Sequence, residues 1–521
     1  CNTVEPEIHP DFETQHTDFF VEKPTQPTAS VSSYNRIDLC DPKELRIQMQ
    51  KLDPDQRYVV DQYIKYAMKF RLAEKGFIKF PEHLFHVIEG DAGSGKSELI
   101  RILCQVLEKE FRKAGDDPDM PYLLRGSFTG EAATNIKDQT LTSLFNLGFG
   151  HNLSAMPERL RDKKREFLGL LKVVIIDEYS MVKADMLYQI DQRLREIMNR
   201  PHELFGGVSV LLLGNLLQLP PVRGRYIFEE PACVDYRFSH QCLNRWEQFV
   251  PIKLTYNHRQ EGEHLFAELL KLVGRGIKRP EDMDLLRTTV VPKNDPSIPK
   301  DTLYVFPRRT MVKEYNEKML ALLEGELEVL PSKNIMSTRK QFDPYIDEAD
   351  GKVRGTPLQN ILYLKKGAKV VLIHNLDVPD GLNNSSKGII LDFIRKDNKI
   401  THIVIEFENP EAGTQLKQQQ SDTFKCLYPK GTPISALHFH YSVSKRQMQE
   451  GQKALCIQFP IQLADAMTIH KIQGGTVPIP RTLTSHFGGI FGDAQAYTVL
   501  GRVKRLEQLY LLDDLFEDKI Y

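Results

Sequence analysis

The sequence lacks three features that would place it in a specialised class of proteins. It contains no run of about 18 apolar residues, so it predicts no membrane span. Its net charge is only −1, from 69 basic and 70 acidic residues, so any contact with nucleic acid requires a local basic groove. Its seven cysteines form no C-x-x-C pair, which argues against a zinc ribbon or a disulfide framework and favours a reducing compartment, cytosol or nucleus.

Length and composition indicate a globular protein of several domains. The chain has 521 residues, of which 41% are hydrophobic and 27% charged. Residues 1–45 are rich in proline, threonine, serine and acidic residues, which predicts a flexible N-terminal linker. The chain begins at Cys1 and shows no signal peptide. Because it starts within this linker, we expect it to be a piece of a longer protein.

Short apolar runs alternate with amphipathic segments, which predicts an α/β fold. The runs at 84–90, 171–177 and 207–215 each end in polar residues, as parallel strands buried on both faces do. These strands predict a P-loop domain that extends to about residue 230. From about residue 358 the pattern becomes that of β-strands, with a hairpin turn over 396–399, and predicts a small inserted β-barrel.

The segment GDAGSGKS (90–97) follows one of the predicted strands and begins a predicted helix. Backbone N–H groups at such a helix N-terminus bind phosphates. In this pattern Lys96 reaches the β- and γ-phosphates, and Ser97 holds Mg²⁺. The predicted nucleotide-binding residues of the loop are Gly90, Gly93, Ser94, Gly95, Lys96 and Ser97.

An adjacent acidic pair ends the predicted strand in VVIIDEYSM (173–181). Asp177 is a candidate Mg²⁺ ligand together with Ser97, and Glu178 is a candidate general base for the attacking water. A lone acidic pair is more often a helix cap, but the strand before it and the P-loop favour catalysis. Gln218 follows the next strand, where we expect it to sense the γ-phosphate.

Further motifs extend from about Leu52 to Leu512. In chain order they are LDPDQ (52–56), the P-loop, SFTGEAATNI (127–136), IIDEYSM (175–181), FGGVSVLLLGNLLQLPPV (205–222), NHRQ (257–260), AMTIHKIQGGT (466–476) and AYTVLGRVKRL (496–506). In this order they resemble the motifs of the Pif/RecD-like superfamily-one DNA helicases, and residues 185–210 resemble the signature of the Pif branch. Within that branch, DQRLREIM (191–198) and QLPPVRGRYIF (218–228) also resemble the helicase part of Helitron rolling-circle transposases.

The resemblance implies an ATP- and Mg²⁺-dependent DNA helicase that translocates 5′ to 3′ on single-stranded DNA. Its substrates would be single-stranded DNA and forked or tailed duplex DNA, and no membrane is implied. It further implies that Gln56 reads the adenine and that Arg259 and Arg502 reach the γ-phosphate. Gln473 and Gly474 match positions that link the AMTIHKIQGGT element to the nucleotide, with Gly474 as a nucleotide-binding residue. An arginine donated across a cleft couples hydrolysis to closure of that cleft.

The resemblance also implies two RecA-like domains with parallel sheets. The expected division is a linker over 1–45, a first RecA-like ATP-binding domain over 46–230, a second over 231–357 and 457–521, and the β-barrel inserted at 358–456.

The expected DNA contacts lie in two of the motifs. Thr468, His470 and Lys471 supply a hydroxyl, an imidazole and a cation suited to phosphate and sugar. Ser127 and Thr129 resemble the corresponding contacts of the first domain.

Three positions depart from the family pattern. Asn215 stands where an aspartate is usual, Thr142 where a histidine is common, and Gly501 where a serine is usual. We expect Asn215 to keep one hydrogen-bond acceptor and the activity to survive.

Two alternatives stay open. The protein is either a helicase or a P-loop clamp or regulator that binds ATP and DNA without unwinding. As a helicase it serves either genome maintenance (repair, recombination, replication), in the nucleus or another DNA-containing reducing compartment, or a transposase whose nuclease domain lies upstream. The segment HFHY (438–441) superficially fits a nuclease metal site, but alternating histidine and aromatic residues are more simply strand positions.

Overall fold

Helices and strands alternate through most of the chain. The structure is a computed structural model. It describes residues 36–37, 39–128, 139–147, 153, 155–222, 224–232, 244–260, 262–336, 340–377, 380–443 and 453–520.

The α-helices of the described residues are α1 (Pro42–Gln50), α2 (Pro54–Glu74), α3 (Lys96–Phe111), α4 (Leu141–Phe145), α5 (Glu158–Phe167), α6 (Ala184–Met198), α7 (His264–Val273), α8 (Pro280–Arg287), α9 (Arg309–Leu322), α10 (Thr414–Gln418), α11 (Asp422–Leu427) and α12 (Gln495–Leu500). The strands are β1 (Phe85–Gly90), β2 (Leu123–Ser127), β3 (Gln139–Thr140), β4 (Val173–Asp177), β5 (Ser209–Gly214), β6 (Val250–Leu254), β7 (Val290–Val291), β8 (Leu303–Phe306), β9 (Glu328–Pro331), β10 (Lys333–Met336), β11 (Ile361–Leu364), β12 (Lys369–Leu372), β13 (Lys387–Lys396), β14 (Lys399–Phe407), β15 (Thr432–Ser435), β16 (Leu437–Ser442), β17 (Lys453–Gln458), β18 (Ile461–Leu463), β19 (Ala466–Thr468), β20 (Leu483–Ser485) and β21 (Leu509–Leu512). No helix in these ranges has both the length and the apolar character needed to cross a bilayer.

A six-stranded parallel sheet brings the predicted motifs to one edge. Its order is β3-β2-β4-β5-β1-β6, and every residue of β4 and β5 is buried. The three strands predicted from apolar runs are confirmed as β1, β4 and β5, and they pair in parallel with β5 between the other two. Because parallel strands end at the same edge, the P-loop, the acidic pair and the segment after β5 lie together there.

Helices on both faces bury this sheet. On one face α2 and α3 pack with residues such as Val59, Tyr63 and Leu103, and on the other face α6 packs with Leu187 and Ile190. Helix α2 begins with a capping box, in which the Asp53 side chain accepts from the N–H of Gln56 and the Gln56 side chain accepts from the N–H of Asp53. This cap fixes Gln56 beside the P-loop.

A buried aspartate ties α6 to the segment that leads into β5. Asp191 is fully buried and accepts from the backbone N–H of Phe205 at 2.6 Å. Its carboxylate also pairs with Arg195 at 2.8 Å and Arg245 at 2.7 Å, so the buried charge is fully compensated. The segment that resembles the Pif-branch signature therefore braces β5, whose end carries part of the site.

A second parallel sheet follows in the same compact unit. Its strands β8, β20, β21 and β7 are neighbours in that order and pair in parallel. Helix α12 lies between β20 and β21 in the chain and carries Arg502 just beyond its end. The compact unit that contains both parallel sheets is built from two segments of the chain. The first segment ends at Pro307, and the second begins at Thr468.

The other unit runs from Arg308 to Met467 and is mainly antiparallel β-structure. Its largest sheet has the order β15-β14-β13-β12-β18, around a core that includes Ile403 and Ile405. The predicted hairpin turn is confirmed, because Lys396 pairs with Lys399 and both residues between them have positive φ, as a two-residue type I′ turn requires. In this sheet β15 and β18 are edge strands, so the structure does not confirm closure into the predicted barrel. The expected domain boundaries stay a prediction.

The HFHY segment occupies strand positions, as the simpler interpretation held. Residues 438–441 lie in β16, which pairs antiparallel with β17. His438 and His440 are exposed, whereas Tyr441 is buried against the sheet. Across the described ranges, no group of three or more histidine, cysteine, aspartate or glutamate side chains is arranged to hold a metal ion.

Candidate active site

A cavity of about 280 Å³ opens at the carboxyl edge of the six-stranded sheet. Its walls come from the P-loop, the ends of β4 and β5, the NHRQ segment and the chain between 474 and 504, all within one unit. It is lined by Ala92, Gly93, Ser94, Gly95, Lys96, Ser97, Glu98, Asp177, Glu178, Gln218, His258, Arg259, Gly474, Thr476, Arg502 and Lys504.

The P-loop needs glycine at two positions for conformation and for space. Gly93 and Gly95 have φ values of 93° and 75°, which disfavour any residue with a Cβ. A Cβ at Gly93 would lie 2.5 Å from the Cβ of Arg259, and a Cβ at Gly95 would collide with the side chain of Gln56. The loop therefore approaches its neighbours closely and leads directly into α3, whose N-terminus faces the cavity.

Lys96 is held inside the loop by backbone carbonyls. Its ammonium donates to the carbonyl oxygens of Gly90 at 2.5 Å and Asp91 at 3.1 Å. Burial lowers the pKa of Lys96, while the nearby carboxylates of Glu178 and Asp177 act in the opposite direction. Gly90 contributes its carbonyl to this arrangement but does not line the cavity, and Ser97 lies exposed in the first turn of α3.

The acidic pair is buried opposite Lys96. Asp177 accepts from the backbone N–H of Glu178 at 2.9 Å, and Glu178 has a φ of 55°. That left-handed conformation turns the Glu178 side chain, whose carboxylate accepts from the amide of Gln473 at 3.1 Å. Burial and then the charge of Glu178 raise the pKa of Asp177 to about 7.

This raised pKa predicts that the site lowers the stability of the nucleotide-free protein. A carboxyl group whose pKa is about 7 in the folded state, against an ordinary value of 3.8, lowers the free energy of unfolding. This loss grows as the pH rises from the lower value to the higher one and is constant above both. We therefore expect Asp177→Asn to increase the free energy of unfolding by about 2 kcal/mol at pH 8, and by less at pH 5.

Urea unfolding at the two pH values, in buffer with EDTA, measures this effect. Asp162→Asn is the matched control, because that side chain is 60% exposed in α5. An equal change at both pH values, or destabilisation at pH 8, would contradict the prediction.

Two arginines converge on the cavity from separate parts of the chain. Arg259 donates to the carbonyl of Gly501, and Arg502 donates to the carbonyls of Thr498 at 2.9 Å and Gly475 at 3.1 Å. Burial and the neighbouring Arg502 lower the pKa of Arg259 to about 9. Arg502 is buried and Arg259 half-buried, and two such cations placed together favour a bound polyanion, which would supply the missing negative charge.

Two glutamines border the site in different ways. Gln218 is buried, and its Oε1 has no hydrogen-bond partner in the part of the chain that the structure describes. Such an orphaned acceptor fits a water or ligand donor at this point. Gln56 donates to the carbonyl of Ser94 at 3.2 Å and does not line the cavity, so its contact with adenine stays a prediction.

The predicted DNA contacts fall into three groups. Thr468, His470 and Lys471 are half-buried at the end of β19 and in the 3₁₀ turn Ile469–Ile472, directly before Gln473. Ser127 is fully buried and donates to the carbonyl of Asp177 at 3.3 Å, so its hydroxyl is not available to DNA in this conformation. Thr129 lies outside the described residues.

Sequence reasoning missed several residues of the cavity wall. His258 contacts Asp53 at 2.7 Å through Nε2, and its backbone N–H donates to the carbonyl of Gly93 at 2.8 Å. Thr476 and Lys504 are exposed at the cavity. Each lies within two residues of a predicted site residue, and this proximity was the available signal.

The arrangement suits a nucleoside triphosphate with a divalent cation. Loop N–H groups, Lys96 and the two arginines are donors for a phosphate chain. The Ser97 hydroxyl and the Asp177 carboxylate are hard oxygen ligands of the kind that Mg²⁺ binds. The Glu178 carboxylate is an acceptor of the kind that a reacting water would need.

Comparison with known proteins points in the same direction. Residues 51–280 match a family model described as PIF1-like helicase. The chain is 29% identical over 430 residues to the human ATP-dependent DNA helicase PIF1, covering 81% of this chain and 57% of the human protein. It is 28% identical over 431 residues to the ATP-dependent DNA helicase Pif1 of Bdellovibrio bacteriovorus, covering 82% of this chain and 83% of that protein.

A solved structure shows the same fold. The chain is similar to a Bacteroides Pif1 helicase in complex with ADP-AlF3 and single-stranded DNA, with a TM-score of 0.60 and 23% identity. The match covers 86% of this chain and 93% of the Bacteroides chain. The present chain spans little more than half the length (57%) of the human relative.

Proposed function

We propose that the chain is an ATP-dependent DNA helicase of the PIF1-like family, because residues 51–280 match that family model and the human PIF1 relative is 29% identical over 430 residues. It would hydrolyse ATP while it translocates 5′ to 3′ on single-stranded DNA, and it would unwind forked or tailed duplex. The relatives are named ATP-dependent DNA helicases, and the Bacteroides structure contains single-stranded DNA and ADP-AlF3.

One hydrogen bond is the main support for the proposed coupling between ATP hydrolysis and DNA binding. The amide of Gln473 donates to the carboxylate of Glu178 at 3.1 Å and also lies 3.4 Å from the hydroxyl of Ser180. Gln473 directly follows the turn that contains His470 and Lys471, the proposed DNA contacts. A displacement of that turn by a bound strand would therefore be transmitted to Glu178 through one side chain.

Mg²⁺ is the proposed cofactor, held by Ser97 and Asp177. When bound, it would neutralise phosphate charge and polarise the scissile bond. The buried carboxylate with a raised pKa fits this role, because a cation at the site would favour its ionised form.

The side chains of the site would then have separate roles in hydrolysis and DNA binding. Lys96, Arg259 and Arg502 would stabilise the charge that develops on the transferred phosphoryl group. Glu178 would accept the proton of the attacking water, and the Oε1 of Gln218 would orient that water. Thr468, His470 and Lys471 would hold the sugar–phosphate backbone of the strand.

The proposal is tested by DNA-stimulated ATP hydrolysis together with strand displacement. We expect single-stranded DNA to stimulate turnover, and a duplex with a 5′ single-stranded tail to be unwound while a duplex with a 3′ tail is not. Turnover without displacement of either substrate would instead support the clamp or regulator. Unwinding only from the 3′ tail would refute the polarity.

The biological setting is a further part of the proposal. We place the activity in genome maintenance or in a rolling-circle transposase, in the nucleus or another DNA-containing reducing compartment. The transposase setting requires a nuclease domain in a longer protein, which the sequence of the full-length gene product would reveal.

A further inference from the structure

The residue that departs most clearly from the family pattern sits at a junction of three parts of the site. Asn215 is fully buried directly after β5. Its amide nitrogen donates to the carboxylate of Asp91 at 3.2 Å and to the hydroxyl of Tyr497 at 3.1 Å. Its amide oxygen accepts from the backbone N–H of Leu217 at 2.8 Å.

The partners determine which way the amide faces. The Asp91 carboxylate only accepts hydrogen bonds when ionised, and the Leu217 N–H only donates. The nitrogen of Asn215 must therefore face Asp91, and the oxygen must face Leu217. An aspartate at 215 would still satisfy Leu217 but would place a second acceptor against the Asp91 carboxylate.

Each partner belongs to a different functional element. Asp91 lies in the P-loop, and its carbonyl holds the ammonium of Lys96. Leu217 begins the turn that delivers Gln218, whose own N–H donates to the carbonyl of Asn215 at 3.0 Å. Tyr497 lies in α12, and its hydroxyl also accepts from the N–H of Ala92 in the P-loop at 3.4 Å.

Helix α12 leads from this junction to an arginine of the site. A Cβ at Gly501, the residue after α12, would lie 3.0 Å from the Cβ of Ala92, so the helix end also rests on the P-loop. Arg502 follows at once and is anchored to the carbonyl of Thr498.

We propose that Asn215 is a positioning residue that holds the P-loop, the Gln218 turn and α12 in one arrangement, and that its amide is required because Asp91 lies opposite. The pair keeps one carboxylate and one amide where two carboxylates would repel each other. This role can be measured by ATP turnover only if the protein hydrolyses ATP, so this measurement rests on the proposed function.

A charge-swap cycle tests the pair. ATP turnover at saturating oligo-dT is measured for Asn215→Asp, Asp91→Asn and the double variant, together with the thermal midpoint of each. We expect Asn215→Asp to lower kcat/KM by roughly 10- to 100-fold, and the double variant to recover to within about threefold of wild type. Asp91→Asn alone should stay close to wild type, because two amides can still form a hydrogen bond. Asn334→Asp, at a buried asparagine of the other unit, is the matched control and should leave turnover unchanged.

The outcomes separate a positioning role from a purely structural one. Recovery of kcat/KM in the double variant, measured well below its thermal midpoint, supports the proposal. Near-normal turnover of Asn215→Asp, or a double variant as impaired as Asn215→Asp, overturns it. If wild type itself hydrolyses no ATP, the proposed function fails. The pair is then judged by the thermal midpoints, where loss in Asn215→Asp and recovery in the double variant support it and the absence of recovery overturns it.

Discussion

Replacing Lys96 by alanine is expected to lower ATP turnover by about a thousandfold while the fold stays intact. The ammonium of Lys96 is the cation of the loop itself, held by the carbonyls of Gly90 and Asp91, and Lys96 lines the cavity. In the proposed mechanism its loss would remove a charge that stabilises the transferred phosphoryl group. It would also remove the cation that lowers the pKa of Asp177 and so raise that pKa further.

Steady-state hydrolysis with saturating DNA measures the change, and circular dichroism checks the fold. The fold should survive because the ammonium bonds only to groups of its own loop, and removing a half-buried cation relieves its desolvation cost. Lys109→Ala in the last turn of the same helix is the matched control, since Lys109 is exposed there. A Lys96→Ala variant that keeps a tenth or more of wild-type turnover would show that the loop does not act in this way.

The motifs of the first sheet were predictable because local patterns determine them. Apolar runs that end in polar residues predicted β1, β4 and β5, and parallel strands bring their carboxyl ends to one edge. The P-loop and the acidic pair were therefore expected to meet, and they do around Lys96. In these cases the chemistry is carried by short segments, and the sheet supplies their proximity.

Contacts over long distances in sequence were not predictable in the same way. Asn215 was expected only to keep an acceptor, whereas its amide nitrogen contacts Asp91 and Tyr497, which are 124 and 282 positions away. Nothing in the local sequence of any of the three residues indicates the other two. The departure from the family pattern at 215 becomes intelligible only when the opposite carboxylate of Asp91 is seen.

Burial also separated residues that their motifs had grouped together. Ser127 and His470 were both predicted to contact DNA. Ser127 ends a fully buried strand, and its hydroxyl donates to the carbonyl of Asp177 in the same sheet. His470, by contrast, is half-buried just beyond β19. A motif specifies residue types and spacing and does not specify which side of a strand faces solvent. Closure of a sheet into a barrel is likewise decided by how its edge strands pair, and the strand pattern does not contain that information.

Replacing Glu178 by glutamine is expected to lower turnover by roughly 10²- to 10⁴-fold while ATP and DNA remain bound. Glutamine has the shape of glutamate, and its amide oxygen can still accept the hydrogen bond from Gln473 that now reaches the carboxylate at 3.1 Å. The contacts of the site are thus preserved, and only the capacity to accept a proton is lost. Removal of this charge should also lower the pKa of Asp177 toward its ordinary value, which keeps the proposed Mg²⁺ ligand ionised.

Single-turnover hydrolysis and the lifetime of the protein on oligo-dT in the presence of ATP measure the two halves of this prediction. Glu98→Gln is the matched control, because Glu98 also lines the cavity but is exposed in the first turn of α3. Turnover at the parent rate would mean that another group accepts the proton. Slow turnover combined with weakened ATP binding would instead assign Glu178 to binding. Only slow turnover with retained ATP and a long-lived DNA complex supports Glu178 as the general base of a DNA-coupled motor, because that combination separates the chemical step from both binding steps.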